Sequence, residues 1–227
     1  MKKKEKAIFL TGACLLVAFV LWTVLVRLVD VQSIGPEASA VGFATLNGRF
    51  HALTGVHLAL YDATDLLSII PLAIVAGFAV LGLIQWIRRK SLRRVDPSIL
   101  ALGGFYAVVM AVFLLFEVLA VNYRPILIEG VLEASYPSST TMLALCVMPT
   151  AMLQTKERMR NTVACRILLV VMGAFTAFML VGRIISGVHW LTDIVGGILL
   201  STGLVLLYEG ACRALNRIMR PEETQSH

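Results

Sequence analysis

Apolar runs close to the length of a bilayer crossing recur along this chain, and they constrain its fold more than any other feature. Three are long, over residues 7–28, 66–87 and 99–121, and three are shorter, over 138–154, 167–182 and 194–214. A hydrocarbon layer about 30 Å thick takes roughly 20 residues of helix, and every backbone group inside it must be satisfied within the segment. With 15% charged residues, against about 25% in soluble domains, an ordinary soluble domain is excluded. The runs predict an all-α polytopic membrane protein with six transmembrane helices. One domain is expected over residues 1–220, followed by a polar cytoplasmic tail at 221–227.

The cations predict its orientation, because translocating cationic loops is disfavoured. Sixteen of the 20 Lys and Arg residues fall at the start, in 88–94, in 156–166 and from 213 onward, all on one side of a six-span arrangement. Only Arg27, Arg49, Arg124 and Arg183 fall on the other. Both termini are therefore expected in the cytoplasm of a cell-membrane protein. The opening KKKEK precedes a run too long for a signal peptide, with no small-residue cleavage site at its end, so the first span should be retained. The net charge of +6 reads as topology. RRKSLRR carries no interleaved aromatic residues, so no nucleic-acid partner is expected.

Between the first two spans, about residues 36–64, the chain is too polar to cross and too apolar for a free linker. Phe43, Leu46, Phe50 and Leu53 recur at helical steps around Asn47, Arg49 and His51. This predicts an external amphipathic helix, either a lid or portal or simply an element packed on the bundle. His51, His57 and His227 show no ligand spacing, so no metal is expected. Cys14, Cys146, Cys165 and Cys212 read as reduced thiols.

The expected outer face gathers unusual polar residues. His189 and Asp193 are four apart, so on a helix the carboxylate would accept a proton from one imidazole nitrogen and leave the other bare as a nucleophile or base. Arg183 and Arg124 need an anion near the membrane, and a phosphate headgroup supplies one. Ser138, Ser139 and Thr140 follow Pro137 at a predicted helix start, where hydroxyls and free N–H groups suit a phosphate. The same residues would also serve as plain helix caps.

Together these segments resemble the type 2 phosphatidic acid phosphatase family, relatives of the vanadium haloperoxidases, whose signature reads K-x6-R-P, P-S-G-H and S-R-x5-H-x3-D. Arg124-Pro125 falls on the first part, Pro137-Ser138 on the second, and Arg183, His189 and Asp193 on the third. The resemblance implies a six-span bundle without cofactor or metal, acting on a phosphorylated lipid at the external face. In that reading His189 forms a phosphohistidine, Asp193 orients it, and Arg124, Arg183, Ser138 and Ser139 hold the phosphate.

Three positions depart from the pattern: Glu117 replaces the first Lys, Gly182 the Ser, and Thr140 the catalytic His that protonates the leaving oxygen. A threonine hydroxyl is too weak an acid for that task, which is typically worth about 100- to 10,000-fold. A diphosphate, whose leaving group carries its own charge, should suffer least, so polyprenyl or diacylglycerol diphosphates are the expected preference. Glu117 would be either a substitute acid or an ion-pair partner of Arg124 or Arg183. A lipid-binding or transport protein without turnover, and a phosphoryl or headgroup transferase, are the alternatives.

Overall fold

The computed structural model describes residues 3–159 and 162–219. Lys2, Arg160, Arg220, His227 and the predicted tail 221–227 lie outside the described residues. Among those described there are eight α-helices: α1 Lys3–Leu28, α2 Ala44–Thr54, α3 Leu58–Leu67, α4 Ile69–Arg89, α5 Pro97–Leu119, α6 Ser139–Met159, α7 Val163–Ile185 and α8 Leu191–Met219. No strand accompanies them, only isolated bridges such as Tyr123 with Ala134. Their boundaries follow local chemistry. Pro97 opens α5, where its missing N–H costs nothing. Thr162 caps α7 by accepting from the Cys165 backbone N–H at 3.1 Å. Ala120, in the left-handed region at φ 39°, ends α5.

Five helical stretches are long and apolar enough to span a membrane: α1, α3 with α4, α5, α7 and α8. The protein is a multi-pass membrane protein. The predicted fourth span corresponds to α6, which is not apolar enough to join the five. It packs chiefly on α7 and α8, burying Thr140, Thr141, Thr150 and Gln154. Shielded from lipid, it can carry polar groups that bond inside the bundle, as Gln154 does to Tyr208 at 2.6 Å.

The tightest helix pair is α1 with α8. A side chain at Gly12 would meet the Gly203 carbonyl at 3.1 Å, so two glycines let these backbones approach. The main core runs along this seam and α5. Phe19 stacks on Tyr136 at a centroid distance of 6.1 Å, and Phe116 meets both rings edge-on at 5.5 and 5.8 Å. Tyr136 belongs to the loop before α6, and its hydroxyl bonds Thr23 at 2.7 Å. A side chain at Gly196 would lie 2.6 Å from the Tyr136 ring. That loop is thus pinned into the bundle at the level of the polar residues that flank it.

The predicted amphipathic helix is two elements, α2 and α3, with a turn at Gly55. Asn47 fixes α2 to the start of α8, donating to Thr192 Oγ1 at 2.9 Å and accepting from Thr192 N at 3.3 Å. Gly187, at φ +69°, packs its backbone against Gly55, and any side chain there would strike the Gly55 carbonyl. His57 N donates to Ser186 O at 2.9 Å. The α2–α3 turn therefore sits directly on the loop that carries His189.

Candidate active site

His189 lies in the short turn between α7 and α8, two residues before α8 begins. Asp193 sits in the first turn of α8 and reaches back to accept from the Trp190 backbone N–H at 3.0 Å, as a capping carboxylate does. The predicted direct bond between His189 and Asp193 is not made. Ser135, in the loop before α6, stands between them. Its hydroxyl is 2.6 Å from Asp193 Oδ2 and 2.9 Å from His189 Nδ1. A hydroxyl has one proton, and the carboxylate takes it, so Ser135 Oγ must accept from Nδ1–H of His189. That assignment leaves Nε2 unprotonated. Asn122 completes the carboxylate's shell, donating to Oδ1 at 3.1 Å.

The two arginines converge on the same region. Arg124 lies 5.6 Å and Arg183 4.9 Å from the Tyr61 ring centroid, so one aromatic ring of α3 backs both cations. Arg183 reaches Thr64 and Asp65 at 3.4 Å and donates to the Thr140 hydroxyl. Arg124 pairs with Glu133 at 3.0 Å. Glu117 partners neither: it is exposed near the end of α5. Because α5 stops at Leu119, Arg124 does not continue its helical face, and the expected ion pair with Glu117 is absent.

His189, Arg124 and Arg183 are 4, 7 and 1% exposed. Even so, His189 Nε2, Arg124 Nη1 and Arg183 Nε are buried without a hydrogen-bond partner. Burying cationic donors and a ring nitrogen unpaired costs free energy that structural packing does not return. An anion with several acceptor oxygens would satisfy both arginine donors, while the bare lone pair of Nε2 calls for a donor or an electrophilic centre. Burial, together with the charges of Arg124 and Arg183, holds the His189 imidazole well below its ordinary 6.5.

Ser138 is fully buried and accepts from Thr141 Oγ1 at 3.0 Å. Its backbone N–H is not free as predicted but donates to the Asp193 carbonyl at 3.3 Å. Ser139 begins α6 and shares a small crevice with Glu117 and Ser135. Tyr61, Thr64, Asp65, Glu133 and Ser135 were not expected at the site, and Asn122 stood in the polar segment before Pro125 without a role. Asn122 and Ser135 each lie two residues before a motif residue, Arg124 and Pro137, which was the available signal.

The family model of the PAP2 superfamily matches residues 71–211, more than half of the chain. The chain belongs to the PAP2 superfamily. A crystal structure of a transmembrane PAP2-type phosphatidylglycerolphosphate phosphatase from Bacillus subtilis is similar, with a TM-score of 0.63. The likeness covers 91% of this chain and 98% of that one at 17% identity, and so concerns the fold. No curated protein matches the chain. Within this PAP2 protein, the position of the motif's second-segment histidine holds Thr140, whose hydroxyl is bonded to Arg183.

A catalytic role for His189, whose Nε2 the bond to Ser135 leaves deprotonated, would show in a pH profile. Once the ionisation of the substrate's own phosphate is divided out, kcat/KM is expected to show no inflection near 6.5 and to fall only at clearly lower pH. An acid limb centred at 6.5 would contradict the buried, neutral imidazole. Stability follows the same sign: below about 6.5 the unfolded imidazole takes a proton that the folded one still refuses, so the fold weakens as pH drops.

Proposed function

We propose that the protein is a membrane lipid phosphatase that removes a terminal phosphate by way of a phosphohistidine on His189. The observation that carries this reading is the cluster of buried, unpartnered atoms on two arginines beside an unprotonated Nε2. In the proposed reaction Nε2 attacks phosphorus and the bond from phosphorus to the lipid oxygen breaks. The imidazolium so formed keeps its Nδ1 proton on Ser135, which Asp193 holds. Arg124 and Arg183 balance the charge on the phosphoryl oxygens, assisted by the Ser138 and Ser139 hydroxyls. Water then cleaves the phosphorus–nitrogen bond and regenerates the imidazole. Membership of the PAP2 superfamily and the activity of the Bacillus subtilis structural neighbour point the same way.

A phosphorylated lipid suits the site's surroundings. A cleft of about 250 Å³ runs from Asp65, Ser139 and Thr140 down between α4, α5 and α6, walled by Leu72, Val109, Phe113 and Leu143. Its polar end meets the arginine region and its apolar walls suit a chain entering from the bilayer. The segregation of cations supports cytoplasmic termini and a site at the external face of a cell membrane.

Thr140 is bonded to Arg183 and offers no acid, which favours leaving groups that need none. Purified protein should therefore release phosphate from a lipid diphosphate with kcat/KM at least about 100-fold above that for the matching monophosphate. Thr140→His should narrow that ratio. Equal rates on the two classes would remove the diphosphate preference. Tight lipid binding with no phosphate released from any member of the panel would instead establish the binding reading, which the missing acid also favours.

A further inference from the structure

We propose that a groove between α4 and α5, at the end of the bundle opposite His189, binds one anionic glycerophospholipid. The groove measures about 470 Å³ and is walled by Val75, Phe78, Trp86, Leu92, Leu102 and Tyr106. That volume lies in the range of small-molecule sites, roughly 300–1,000 Å³. It exists because Gly103 and Gly104 present no side chains, and a Cβ at either would meet nothing within 4 Å. Along α4 it extends from Val75 to Trp86, about 16 Å of helix. This is roughly half of a 30 Å hydrocarbon layer, the depth of one leaflet. A lipid chain fits that depth, whereas a partner helix would follow the pair through both leaflets.

Charge at the mouth selects the headgroup. Arg88, Lys90, Arg93 and Arg94 are exposed on the end of α4 and the turn that follows, beside the lining residues Trp86 and Leu92. Among the described residues none of the four has an acidic partner. The one carboxylate in this turn, Asp96, is already engaged by Arg89 at 3.0 Å, Arg158 at 3.6 Å and Gln85 at 2.9 Å. A phosphodiester with no cation of its own complements four unpaired cations, each contributing near an anionic membrane surface. A zwitterionic headgroup would bring a competing ammonium.

The full-length protein in detergent micelles, titrated with spin-labelled phosphatidylglycerol or phosphatidylcholine, tests this. About one motionally restricted phosphatidylglycerol per chain is expected, with at least about tenfold preference over phosphatidylcholine. The combined change Arg88→Gln, Lys90→Gln, Arg93→Gln and Arg94→Gln should abolish the preference. Gly103→Leu, which fills the groove and leaves every charge in place, should reduce retention of the labelled chain at least about tenfold without lowering the thermal midpoint. Equal retention of the two lipids, or retention unaffected by Gly103→Leu, overturns the proposal. So does retention lost in Arg183→Gln and kept in the loop variant, because the lipid would then occupy the His189 site. The outcome is independent of whether the His189 site turns over.

Discussion

His189→Asn is expected to lower phosphate release by about 10,000-fold or more while leaving the affinity for the lipid phosphate nearly unchanged. The asparagine side chain can still donate to Ser135 from the place of Nδ1, so the loop geometry and the support of Asp193 persist. What disappears is Nε2, the buried and unpartnered atom that the proposed reaction uses. Because Arg124 and Arg183 are untouched, the loss should appear in kcat and not in KM. Alkaline quenching, which preserves a phosphorus–nitrogen bond, should trap labelled phosphate on the parent protein and none on the variant. Turnover within tenfold of the parent would end the nucleophile assignment.

Ser135→Ala is expected to cost about 100- to 1,000-fold in kcat, less than loss of the nucleophile and far more than a surface change. Without the hydroxyl, His189 loses its link to Asp193 and keeps only the Ser135 backbone carbonyl as an acceptor, so its tautomer and orientation are held less firmly. A mis-set tautomer in a comparable triad costs up to about 10,000-fold. Asp193 would keep its bonds from Asn122 and the Trp190 backbone at 3.1 and 3.0 Å, so the start of α8 should hold and the protein should fold. Ser135→Thr, which retains the hydroxyl, should recover most of the activity, and KM should change little in either variant. An alanine variant within threefold of the parent would mean that His189 is oriented by another group.

The spacing of Arg183, His189 and Asp193 singled out these residues as candidates but placed His189 and Asp193 in direct contact, on the assumption that both lay on one helix. The helix begins only at Leu191, so the four-residue rule does not apply and a hydroxyl from another loop fills the gap. The pairing of Glu117 with Arg124 failed for the same reason, since α5 ends at Leu119. Periodicity is informative inside a helix and misleads across its end, where one left-handed residue or a turn redirects everything after it.

The order of the apolar runs, the sorting of cations to one end and the residue types that can hold and attack a phosphate are local properties, and the sequence alone determined them. Which carboxylate meets which arginine, the role of Tyr61 behind both cations and the placement of Ser135 between His189 and Asp193 were decided only by tertiary structure. Most of those contacts join residues more than 50 positions apart, on helices and loops brought together only by packing. Their distances follow from how α1, α3, α6 and α8 pack, and no pattern along a single segment encodes that packing.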